Sequence, residues 1–71
     1  MRDPKRLDKF YQDLCYYHKK YFPDWRFGQL CSNFFGWLFE KKRIDLFFPE
    51  ENEMLEYMKE YCEENERYDK G

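Results

Sequence analysis

Seventy-one residues allow one domain, and a chain this short hides only about 60% of the surface it would expose unfolded, so its core must be dense or completed by a partner. A content of 42% apolar and 24% aromatic residues favours a dense core and excludes a disordered chain. The net charge of −2 is segregated: residues 1–24 and 25–48 carry +2 each, and residues 49–71 carry −6, which argues against the strongly basic surface that simple nucleic-acid binding requires.

The amino terminus is polar from Met1 to Arg6, with no leader-like apolar run after it. No stretch approaches the roughly 20 apolar residues of a membrane span, so a cytoplasmic protein without membrane contact is expected. A first helix is predicted over about 4–21. Asp3 is placed as its N-cap and Pro4 at its first turn, where the missing N–H costs nothing. Leu7, Phe10, Tyr11, Leu14, Tyr17, His18 and Tyr21 recur at spacings of three and four, the mark of one apolar stripe. Phe22-Pro23-Asp24 ends this helix, because a residue before proline avoids the helical region.

A second helix is predicted over about 25–41, capped by Asp24, with Phe27, Leu30, Cys31, Phe34, Trp37 and Leu38 as its buried stripe. Gly28 and Gly36 fall inside it, and each costs up to about 1 kcal/mol relative to Ala. A close helix crossing is the favoured explanation, and a helix ending at Gly36 is the alternative. The aromatic surplus of this segment cannot all face one way. Trp25, Phe35 and Phe39, with Phe47 and Phe48 beyond, form a candidate apolar interface. Either helix two is central and wrapped by the other two, or part of this surface receives a partner.

Residues Ile44 to Phe48 read as a short extended segment or an aromatic-lined loop. A third helix follows over about 51–65, with Leu55, Met58 and Cys62 inward, and the tail 66–71 is expected to fray. Glu53, Glu56, Glu60, Glu63 and Glu64 form a candidate acidic surface, read either as a solubilising face or as one that steers toward a basic partner. The expected fold is thus all-α: a compact three-helix domain with an irregular, aromatic-rich connection between helices two and three.

Little chemistry is legible. Cys15, Cys31 and Cys62 are odd in number and far apart, and they read as buried thiols. His18 is the only histidine and has no nucleophile or orienting group near it in sequence, so it reads as structural. Glu50-Glu51-Asn52-Glu53 lacks the glycine and alternating ligands of a calcium loop. No enzyme, cofactor or metal is expected. The partner is expected to be another protein or a second copy of the chain. The alternative is a DNA-binding regulator that reads bases through Arg26, Gln29 and Asn33 on helix two.

Three segments carry a resemblance: Asp3-Pro4-Lys5-Arg6-Leu7, Pro23-Asp24-Trp25-Arg26-Phe27-Gly28-Gln29-Leu30 with Asn33, and Asp45-Leu46-Phe47-Phe48-Pro49-Glu50-Glu51. Together they resemble a family of short uncharacterised bacterial and phage proteins that share a P-D-x-R-F-G-Q-L-x-x-N segment. The resemblance implies a bacterial or phage-infected cell and a small helical accessory or inhibitor role.

Overall fold

The computed structural model describes residues 3–69, with side-chain surroundings through residue 66. Helix α1 spans Arg6–Tyr21, α2 spans Phe27–Trp37 and runs directly into a π-helical turn at Leu38–Lys42, and α3 spans Glu51–Asp69. The fold is all-α, and the connection from Arg43 to Glu50 is irregular and aromatic-rich.

Helix α1 starts later than its sequence signal. Pro4 and Lys5 form a tight turn in which Arg6 N–H donates to the Asp3 carbonyl (3.2 Å) and Leu7 N–H to that of Pro4 (3.0 Å). Lys5, not Asp3, occupies the cap position of α1 and has no side-chain cap, and the Asp3 carboxylate instead supports the preceding turn by accepting the Lys5 N–H at 2.9 Å. The helix ends at Tyr21, one residue before the position that Pro23 restricts, and Phe22 N–H closes the last turn on the His18 carbonyl.

Asp24 does not cap α2. The chain stays irregular through Arg26, which is extended (φ −73°, ψ 157°) and occupies the cap position. The reason lies in His18, whose Nε2 is 2.7 Å from the Trp25 carbonyl. A carbonyl only accepts, so Nε2 carries the proton. With that carbonyl held by the ring and Trp25 stacked on Phe22 (4.3 Å between centroids, 12° between planes), helical geometry begins two residues later than predicted. At its other end α2 does not stop at Gly36. It loosens into the π-turn and terminates at Arg43, a left-handed residue with φ 56°. Lys42 pins that turn to α3 by an ion pair with Glu60 at 2.9 Å.

Helices α1 and α3 run parallel: Arg6 at the start of α1 donates to Glu51 at the start of α3 (2.8 Å), and Phe22 at the end of α1 packs on Tyr61 (5.6 Å). The core is Phe22, Leu30, Phe34, Leu38, Met58, Tyr61 and Cys62. Each of α1 and α2 packs on α3, while the two scarcely touch each other. The central helix is therefore α3, not the second helix. Its inner face is the one the periodicity marks, and it continues through Asp69, past the expected fraying point at Glu66. Residues 70 and 71 of the expected frayed tail lie outside the described residues.

The glycines have no packing role. Both face solvent, and a Cβ at Gly28 or Gly36 would meet nothing within 4 Å, so neither permits a close crossing. Replacing Gly36 with Ala, in the last turn of α2, should therefore raise stability by about 1 kcal/mol, a shift of roughly 4–8 °C in Tm. A thermal melt of G36A checks this, and an unchanged or lower Tm would show that the glycine has a structural task.

Candidate functional site

The splay of α1 from α2 leaves an apolar groove of about 330 Å³ above α3. One wall is the Phe10–Leu14 turn of α1, the other is Phe27, Cys31 and Phe35 of α2, and Met54 and Met58 of α3 lie beneath. No charged side chain lines it. Its size is at the small end of the range for ligand pockets, which are mostly apolar clefts of roughly 300–1,000 Å³. Methionines and a cysteine in the lining can re-pack around different occupants.

The lips of the groove are exposed rings. Phe27 is 61% exposed and Tyr11, across from it, 58%. Phe27 therefore does not belong to the buried stripe in which its spacing places it. It occupies the first turn of α2, at the lip of the groove and outside the core. No residue of α1 is fully buried, although its stripe is apolar along its length.

The predicted apolar interface divides in two. Trp25 is partly buried on Phe22, and Phe35 packs against the core at the groove wall. Phe39, Phe47 and Phe48 are outside the core, at 71%, 94% and 78% exposure. Phe47 and Phe48 sit on a turn closed by Asp45, whose carboxylate accepts the Phe47 N–H (3.0 Å) and whose carbonyl accepts the Phe48 N–H (3.2 Å). This Asx-turn, which sequence reasoning missed, holds the loop in one shape. The groove had no signal in the sequence, since spacing shows which residues share a face but not whether a neighbour reaches it.

The predicted polar strip is present as a surface. Arg26, Gln29 and Asn33 are all exposed, with Arg26 just before α2 and the other two on it. Arg26 is the only cation of the three and forms no ion pair among the described residues. The acidic surface is partly used by the fold. Glu53 accepts the Glu50 N–H (3.2 Å), half of a capping box, and Glu60 holds Lys42. Glu56 and Glu63 are exposed and Glu64 is half-buried.

Among the described residues, no three His, Cys, Asp or Glu side chains gather closely enough to hold a metal ion, and no helix is long and apolar enough to cross a membrane. His18 is half-buried and ties the end of α1 to the following loop. The buried Trp37 Nε1–H has no acceptor among the described residues.

The cysteines differ from the uniform burial expected of them. Cys15 is exposed, Cys31 is at the groove and half-buried, and Cys62 is wholly buried. Burial pushes the Cys62 thiol up to about 12, with Glu63 and Glu66 adding to the effect. Burial also raises Cys31 and Tyr61. Comparison with protein-family models, curated proteins and solved structures finds no match to this chain.

The thiols should react with an alkylating reagent in the order Cys15, Cys31, Cys62, the last only on unfolding, as mass spectrometry of timed samples would show. The folded state keeps the Cys62 proton at a pH where the unfolded chain loses it. This contribution to stability is therefore complete below an ordinary thiol value of 9.0 and is lost as pH rises toward 12. Urea melts across that interval should show falling stability, and C62A should flatten the fall.

Proposed function

We propose that this chain is a small non-catalytic helical binding module and that the groove between α1 and α2 is its working surface. The observation that carries the reading is an uncharged groove lipped by exposed Phe27 and Tyr11, in a domain too small to spend aromatic surface on solvent. An apolar segment of another protein, or of a second copy, is the class of occupant that such a lining accepts. The resemblance to short bacterial and phage proteins supports a narrower version, a cytoplasmic accessory or inhibitor protein that acts by occupying a partner.

DNA reading through Arg26, Gln29 and Asn33 has less behind it. One cation on the strip neutralises little phosphate, and the last third of the chain, at −6, opposes the rest. An inhibitor that mimics phosphates through the acidic surface is also weaker, because Glu53 and Glu60 already serve the fold.

The test is binding of a fluorescent apolar dye such as anilinonaphthalene sulfonate to dilute, cooperatively folding protein. Binding should be saturable and persist at high salt. F27D, at an exposed position, should weaken it at least about tenfold while leaving the thermal melt intact. Absence of saturable binding, or binding indifferent to F27D, would remove the groove as the working surface.

A further inference from the structure

We propose that the occupant of the groove is the Leu46–Phe48 loop of a second copy of this chain, the two copies exchanging loops about a two-fold axis. This rests on the groove being a binding surface and adds the identity of what it binds.

The loop has the chemistry of a plug. Phe47 and Phe48 are the most exposed large apolar residues described, yet they stand on a closed turn held by two hydrogen bonds to Asp45. The backbone that presents them is thus preset, so docking orders chiefly their side chains. Their exposure also shows that they do not fill the groove of their own chain.

Position favours exchange between two copies. The loop leads into α3 at Glu51, and Met54 and Leu55, one turn further on, line the groove. Plug and socket are therefore neighbours at one end of the molecule. A two-fold axis beside them places each plug at the other copy's socket, the self-complementary arrangement that closes at two and leaves no open end.

Charge favours the pairing, and the area falls at the low end of what a stable dimer buries. Tyr11, Phe27, Phe47 and Phe48 at their observed exposures offer roughly 400–700 Å² of coverable ring surface, against about 800 Å² per partner in a standard stable interface. Residues 27–39 and 46–49 contain no charged side chain and none lines the groove, so no charge is buried when the loop enters it. Pairing through the outer face of α3 would instead oppose the two acidic thirds, each of −6.

The experiment is light scattering over a concentration series at low and high salt, on the full chain, on F27D and on F47D/F48D, with circular dichroism melts to confirm that each is folded. The wild type should dimerise with little salt dependence. Each variant should weaken dimerisation by on the order of a hundredfold. Mixing the two variants should give a mixed dimer that is weaker than wild type but tighter than either variant alone, since the intact loop of one meets the intact groove of the other at one of the two contacts. At a concentration where the wild type is dimeric, F47D/F48D should bind the dye better than wild type, because its groove is open. A loop variant that stays dimeric, or a mixture that associates no more tightly than either variant alone, would overturn the exchange. A monomeric wild type whose groove takes the dye would overturn self-association and leave the binding-module reading standing. A monomeric wild type that takes no dye would overturn both.

Discussion

The architecture depends on one ring. Tyr61 packs against Phe22 at the end of α1 (5.6 Å), and against Phe34 (5.5 Å) and Trp37 (5.3 Å) of α2, so a single side chain on α3 joins all three helices. Such aromatic pairs contribute about 0.5–1.5 kcal/mol each beyond the area they bury. In a domain of this size that is a sizeable share of a net stability of about 5–15 kcal/mol. Beside it, Cys62 and Met58 complete a core that lies at the middle turns of α3 and includes no residue of α1 itself. The early end is held by the Arg6–Glu51 ion pair, partly exposed and correspondingly weak.

Helix α1 lies along α3 from the Arg6–Glu51 pair to the Phe22–Tyr61 contact, whereas α1 and α2 scarcely touch, and the gap between those two is the apolar groove, with Met54 and Met58 beneath it. The same geometry explains why α1 carries an apolar stripe yet buries none of it completely. Half of that stripe faces α3 and half faces the groove. The aromatic surplus of the sequence is thus neither all core nor all interface. Trp25, Phe34 and Trp37 are committed to the fold, Phe35 packs against the core at the groove wall, and Phe27, Phe39, Phe47 and Phe48 are exposed.

Much of this fold is legible in the sequence because α1 and α3 carry long stripes of period 3.6, and Pro23 marks the end of the first helix. Three features were not legible, each for a physical reason. The start of α2 is displaced because a side chain seven residues back, His18, holds the Trp25 carbonyl, a contact that capping statistics do not include. The π-turn at Leu38–Lys42 has no pattern of its own, and the left-handed Arg43 that ends it stands where glycine or asparagine is usual. Gly28 and Gly36 suggested a close crossing, and the open space beside both shows that a glycine in a helix marks an approach only when a neighbouring helix reaches it. Among the five candidate interface rings, which the sequence leaves open between core and surface, Phe39, Phe47 and Phe48 are exposed and Trp25 and Phe35 are partly buried, whereas Phe27, the ring at the groove's lip, is assigned to the core by its spacing.

The central claim is that the groove above Met54 and Met58 is open in the single chain and filled on association. Methyl NMR of protein labelled at its methionine methyl groups tests it most directly, because both side chains line the groove and both are close to aromatic rings. In a dilution series, the Met54 and Met58 resonances should move together with the change in molecular mass, and the F47D/F48D variant should stay at the dilute position at every concentration. Methionine resonances that ignore concentration while the mass changes would show that the chain associates through another surface.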